Sequence, residues 1–195
     1  MSLLNISKKK LVAGAVVPLA VLASGGLVWQ SSYSAFSATT ATPTNNWTAG
    51  SVALADDDNN TAMFNASNLK PGSTGNKCLV VTSSGTLAST VKLYGTSFST
   101  TKSLADNLNI KVEEGTGGSF ANCTGFTGAS TIYDGTAAAF AASKTDFASG
   151  VGTWAPAAGT VAKTYKVTYT LSANTPDSAQ GGTAALGFTW ESQNS

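Results

Sequence analysis

Apolar and polar residues alternate through most of the chain after residue 46, a spacing typical of half-buried β-strands. The two longest alternating segments are 161–171 and 183–190. Each presents one apolar face: Val161, Tyr165, Val167, Tyr169 and Leu171 in the first, with Lys163 as a polar exception, and Ala184, Leu186, Phe188 and Trp190 in the second. Because one turn-containing connection separates them, the two strands are predicted to pair with each other and form the core.

Shorter strands are predicted upstream, separated by turn residues at intervals of roughly 8–12 residues. They cover residues 47–54, 61–66, 78–82, 86–94 and 109–114. A single helical turn capped by Ser103 is predicted at 103–108, and a short helix at 137–149. About seven or eight short strands with one or two short helices predict an all-β protein, a single antiparallel β-sandwich.

The first 34 residues have the pattern of a secretory signal peptide. Three lysines, Lys8 to Lys10, precede an uncharged apolar run from Leu11 to Trp29, and small residues follow. Cleavage is predicted between Ser34 and Ala35, with a cut after Ser37 as the alternative. The chain then divides into a signal peptide (1–34), an N-terminal arm (35–45) and a β-sandwich domain (46–195).

A permanent membrane anchor is the competing interpretation of this apolar run, which is long enough to span a bilayer. Pro18, Gly25 and Gly26 interrupt the run and small residues follow it, which favours cleavage. Contact with a membrane is therefore expected only through the uncleaved signal, and signal peptidase is the partner expected during export.

Composition narrows the functional classes. Only 11% of the residues are charged, all eleven basic residues are lysine, and the chain contains no histidine. Without arginine, the usual residue for recognising phosphates and base edges, nucleic-acid binding is not expected. Without histidine, the commonest metal ligand and general base are both missing, so no catalytic residue and no cofactor is predicted.

The two cysteines, Cys78 in a predicted strand and Cys123 in a predicted loop, are expected to form a disulfide, since paired cysteines in an exported domain usually do. A metal-binding or catalytic thiol is the alternative. One acidic cluster, Asp56, Asp57 and Asp58, is a weak calcium candidate. It lacks the spacing of an EF-hand loop, so a solvated turn is the competing interpretation.

Several short motifs resemble those of a known family. Gly25, Gly26 and Trp29 end the apolar run, and Ala35-Phe36 begins the segment after it. Further along come Ala-Gly-Ser-Val-Ala-Leu at 49–54, Asn-Leu-Lys-Pro-Gly at 68–72 and Gly-Thr-Leu-Ala-Ser at 85–89. In this order they resemble the TasA/camelysin (CalY) family of secreted bacterial biofilm-matrix fibre proteins. The resemblance covers most of the chain, although 115–160 carries little of it.

The resemblance implies a jelly-roll subunit, located in the extracellular matrix or at the cell surface, that polymerises head to tail with copies of itself. Assembly would proceed by donor-strand complementation, in which the arm of one subunit completes a sheet of the next. The donor residues would be Ala35, Phe36, Ser37, Ala38, Thr39 and Thr40. The residues themselves allow this, because 35–42 is strand-compatible and has no hairpin partner; a floppy terminus is the alternative.

Camelysin-type members are often described as metallo-endopeptidases, but a chain without histidine cannot form an HExxH site. The protein is therefore predicted not to be an enzyme. The alternative function is a monomeric cell-surface binding module for adhesion or carbohydrate, with Trp154 in a Gly-rich corner as its one exposed aromatic candidate. A secreted hydrolase ranks last.

Overall fold

This computed structural model describes residues 49–194, which contain seven strands and two short α-helices. In chain order the elements are β1 (Leu54–Asp56), β2 (Thr74–Ser83), β3 (Ser89–Thr100), α1 (Leu104–Asn107), β4 (Leu108–Thr116), β5 (Thr127–Thr136), α2 (Ala137–Ser143), β6 (Val161–Leu171), a 3-10 helix (Asp177–Ala179) and β7 (Ala184–Asn194). The all-β prediction is confirmed. The signal peptide, its Ser34–Ala35 cleavage site and the donor residues Ala35 to Thr40 lie outside the described residues.

The strands form two antiparallel sheets. The large sheet has the order β1-β2-β6-β4-β5, and the small sheet consists of β3 and β7. The core lies between the two sheets. It contains Leu79, Val81, Val91, Leu93, Ala105, Ile110, Val112, Ala137, Phe140, Trp154, Tyr165 and Val167. This layering is that of a β-sandwich, while the jelly-roll topology stays a prediction.

The predicted pairing of 161–171 with 183–190 is wrong. β6 lies in the middle of the large sheet between β2 and β4, whereas β7 pairs with β3 in the small sheet. Their apolar faces meet across the core instead, with the rings of Tyr165 and Trp190 5.3 Å apart. Period-two alternation determines which side of a strand is buried but carries no information about its hydrogen-bonded neighbour.

Both predicted helices exist in shortened form. Ser103 precedes α1 in a left-handed conformation (φ 53°), and its side chain makes no capping hydrogen bond, so the predicted cap is wrong. Helix α2 ends at Ser143, six residues earlier than predicted. Its N-terminus is capped by the Thr136 hydroxyl, which accepts from the Ala139 N–H at 3.2 Å, and it buries Phe140 completely.

The segment 144–156 follows α2 and runs beside β3. Backbone N–H groups of β3 donate to the carbonyl oxygens of Lys144, Val151 and Trp154 in this segment, with N···O distances of 2.7–2.9 Å. Trp154 is only 7% exposed and belongs to the core, so the expectation of an exposed aromatic in this corner is wrong. Its carbonyl is tied to β3, which holds the residue against the core rather than presenting it to solvent.

Candidate strand-acceptor site

The small sheet has one uncovered edge within residues 49–194. The outer edge of β3 is occupied by the 144–156 segment. On β7 the only backbone hydrogen bonds run to β3, and the N–H and C=O groups of the opposite edge have no backbone partner among the described residues. An edge of this kind is a template for pairing with another extended segment.

An apolar groove of about 1110 Å³ opens beside this edge. Ala184, Leu186 and Phe188 of β7 contribute to it, and the buried face of the large sheet contributes Ile110, Val167, Tyr169 and Leu171. A second cavity of about 250 Å³ lies further along β7 at Phe188–Trp190, where β1 contributes Leu54 to Asp56.

The connection 57–73, here called the strap, contributes to the same groove. Its middle, 62–69, makes no backbone hydrogen bond with any other described residue. The ring of Phe64 packs edge-on against Tyr169, with centroids 5.1 Å apart and ring planes at 89°. The strand predicted at 61–66 is therefore absent, because no other strand among the described residues pairs with this alternating segment.

Both ends of the strap are fixed. At the start, Asp57 accepts from the Val80 N–H through Oδ1 and from the Phe120 N–H through Oδ2, both at 2.8 Å. At the end, the Gly72 N–H donates to the Leu171 carbonyl at 2.9 Å, and the Leu171 N–H donates to the Ser73 carbonyl at 2.8 Å. The strap is thus held to β2 and β6 while its middle is free of backbone bonds.

The predicted disulfide is present. Cys78 and Cys123 are bonded, with their Cα atoms 5.3 Å apart, and Cys78 is fully buried. The bond ties the loop between β4 and β5 to β2. Asp57 holds the same loop through Phe120, so one carboxylate and one disulfide together join β2, the strap and this loop.

The neighbouring acids Asp56 and Asp58 stabilise the turn after β1. Asp56 accepts from the Asp58 N–H at 3.3 Å, and Asp58 accepts from the Asn60 N–H at 2.7 Å. Burial, followed by the hydrogen bond and charge of Asp58, raises the pKa of Asp56. Residues 49–194 contain no cluster of three or more Cys, Asp or Glu side chains that could hold a metal ion. Calcium binding at Asp56, Asp57 and Asp58 stays a prediction.

Glu113 and Glu114 point to opposite faces of β4, as the alternation predicts. Glu113 pairs with Lys111 at 2.9 Å near the surface. Glu114 is only 3% exposed, and it accepts from the Thr153 N–H at 3.2 Å and the Thr153 hydroxyl at 3.3 Å. Burial and, secondarily, the charge and hydrogen bond of Glu114 raise the pKa of Tyr165. This buried carboxylate fastens the 150–156 segment to the large sheet.

These features define a disulfide-bonded β-sandwich with an open strand edge beside an apolar groove. The chain belongs to the camelysin family: the family profile, described as camelysin metallo-endopeptidase, matches residues 6–114, more than half of its length. The resemblance noted from the sequence is confirmed. No curated protein matches the chain at a significant level.

The residues present do not fit the metal that this family description implies. The whole chain lacks histidine, and both cysteines form the disulfide. Protein zinc sites are built mostly from histidine nitrogen and cysteine sulfur, and the described carboxylates form no cluster. These side chains therefore support no catalytic step through a metal.

Within residues 49–194, no helix has the length and apolarity needed to cross a bilayer.

Proposed function

We propose that this chain is a secreted structural protein, the subunit of extracellular or cell-surface fibres of a bacterial biofilm matrix, and that it is not an enzyme. The observation that carries the proposal is the unpaired edge of β7 beside an apolar groove. Membership of the camelysin family supports it. Assembly then requires an extended segment that pairs with β7 and fills the groove.

The edge of β7 is better suited to pairing than the other free edges among the described strands. β1 has only three residues. β5 carries two extra residues relative to β4, which produce irregularities opposite Val112–Glu113 and Glu114–Gly115. Bulges of this kind twist an edge away from further pairing. In the β3–β7 ladder the extra residue lies on β3, between Thr96 and Ser99, so β7 itself continues without interruption.

The arm, residues 35–45, supplies the donor strand in this proposal. Its residues alternate so that Phe36, Ala38 and Thr40 share one face. Phe36 would place the largest apolar side chain of the segment into the groove, and burying a phenylalanine contributes about 1.5–3 kcal/mol. The backbone of the arm would pair with the free N–H and C=O groups of β7, the mode of recognition known as β-strand addition.

The positions of the chain entry and the groove allow insertion into another copy. The described chain begins beside the far end of β7: Ser51 accepts from the Thr86 N–H at 2.8 Å, Leu54 pairs with Ser83, and Ser89 pairs with Asn194. The larger groove lies at the opposite end, near Ala184. A contact that joins one end of a subunit to the other end of the next repeats head to tail, and it produces a filament when the rotation between subunits does not close a ring.

Deleting residues 35–42 from a chain that begins at Ala35 tests the proposal. We expect the full chain to form filaments that sediment and are visible by electron microscopy, and the deleted chain to stay soluble and folded. A matched control replaces 35–42 by a Gly/Ser segment of equal length, which keeps the length but removes strand propensity. If the deleted and full chains form the same filaments, the donor-strand proposal is wrong.

A further inference from the structure

We propose that the strap is the second wall of the acceptor site, so that residues 61–66 become a β-strand when an arm enters. This inference rests on the proposed function. The inserted arm would pair with β7 on one side and with 61–66 on the other, and the small sheet would grow from two strands to four.

The residue pattern and the backbone of this segment do not match. Along the sequence, Ala62, Phe64 and Ala66 alternate with Thr61, Met63 and Asn65, as in a half-buried strand. In the structure this alternation is not realised: Met63 and Phe64 both pack against the core, whereas Ala62 and Ala66 are exposed. Ala62, Phe64 and Ala66 all contribute to the groove. Yet no backbone group from 62 to 69 bonds to another described residue. A strand pattern without a ladder is the expected state of an acceptor whose partner strand is missing.

The position of the strap also suits this role. The groove is lined by residues of the strap between Ala62 and Pro71, by the first half of β7 and by the buried face of the large sheet. An arm that enters this groove would therefore contact both the strap and β7. If it paired only with β7, its own outer edge would be left as a new unprotected edge. Pairing with the strap removes that edge.

The strap is held in a way that permits this change. Asp57 fixes its start to Val80 and Phe120, and Gly72 fixes its end to Leu171. The ring of Phe64 rests on Tyr169 and lines the groove. The ends need not move when residues 61–66 shift into register with an arm. Ordering a segment with fixed ends costs less conformational entropy than ordering a free one.

Hydrogen exchange measured by mass spectrometry tests this inference on the chain that begins at Ala35. Soluble protein and sedimented filaments are compared, and peptides covering 61–66, β7 and β5 are followed. We expect amide exchange in 61–66 to slow on the order of tenfold or more in filaments, as it does when strand hydrogen bonds form. Exchange in β7 should slow as well, and β5 serves as the control that does not change.

Two proline variants give a second readout. Consecutive residues in a strand direct their N–H groups to opposite edges, so Asn65→Pro and Ala66→Pro remove donors from different edges. We expect one of the two to reduce filament yield at least severalfold more than the other, with equal thermal stability of the soluble proteins. Equal yields would mean that the strap lines the groove without pairing.

The outcomes separate this inference from the proposed function. Slower exchange in β7 with unchanged exchange in 61–66 overturns the role of the strap but retains donor-strand assembly. Unchanged exchange in both segments of the filaments contradicts the donor-strand proposal and this inference together.

Discussion

Asp57 is expected to be the acidic residue on which the fold depends most, although it lies in a run of three acids at the surface. Its two oxygens accept from the Val80 and Phe120 N–H groups, both at 2.8 Å. In Asp57→Asn, one of these donors faces the amide NH₂ group of asparagine instead of an oxygen. Hydrogen bonds to charged groups contribute about 1.5–3 kcal/mol, and an unpaired buried donor costs about 1–3 kcal/mol.

Because Asp57 is half-buried, we discount these values and expect Asp57→Asn to lower the free energy of unfolding by about 1–3 kcal/mol. Urea unfolding at neutral pH, followed by tryptophan fluorescence under non-reducing conditions, measures this change. Asp106→Asn is the matched control: Asp106 is exposed and makes no side-chain hydrogen bond with the described residues, so its effect should stay within about 0.5 kcal/mol.

The disulfide provides an internal check on the role of Asp57. Cys123 and Phe120 lie in the same loop, so the bond from Phe120 to Asp57 depends on the disulfide that holds the loop. We expect the Asp57→Asn effect to shrink by about 0.5 kcal/mol or more once both cysteines are replaced by serine, since the effects of coupled residues are not additive. Equal effects of Asp57→Asn and Asp106→Asn would refute the role assigned to the Asp57 carboxylate.

The disulfide, the buried tyrosine and the lack of a metal site each lead to a further prediction. Replacing Cys78 and Cys123 by serine should lower stability by about 4 kcal/mol in the loop-entropy treatment of a 45-residue separation, measured by urea unfolding. The pKa of Tyr165 is raised in the folded protein, so the unfolded chain loses the Tyr165 hydroxyl proton at a lower pH than the folded chain does. The free energy of unfolding should therefore fall by about 1.4 kcal/mol per pH unit above about pH 10. Tyr165→Phe should lack this contribution to the pH dependence of stability. Purified protein should cleave no casein, and chelator-sensitive cleavage would contradict the non-enzymatic proposal.

Those features of the fold that depend on local alternation could be predicted from the sequence. The predicted apolar faces of β6 and β7 turn toward the core, because strand geometry sends every second side chain to the same side. Tyr165 and Val167 of β6 are buried, the β7 side chains are only partly buried, and Val161 is exposed, contrary to expectation. The pairing of Cys78 with Cys123 followed from the presence of two cysteines in a chain whose sequence predicts export. Neighbouring strands could not be predicted in this way, since β2 and β6 pair across a separation that local pattern does not encode.

The acceptor site was predictable only in part. Residues 35–42 could be proposed as a donor segment from the sequence, but the edge of β7 proposed to receive it depends on which strands the fold leaves unpaired. The structural role of Asp57 was hidden within an apparent solvated turn, because its partner Phe120 lies 63 residues away. The strand predicted at 61–66 is absent because alternation indicates only the potential to pair, and no partner for it exists within the described fold.

Site-specific photo-crosslinking can show whether β7 of one copy receives the arm of another, as donor-strand assembly requires. Benzoylphenylalanine in place of Phe36 is irradiated in assembled filaments, and the products are separated under denaturing conditions and mapped by mass spectrometry. We expect a ladder of covalent dimers and higher multimers, with crosslinks to the groove residues of β7. Crosslinks found only within single chains, or only to β5, would contradict donor-strand assembly.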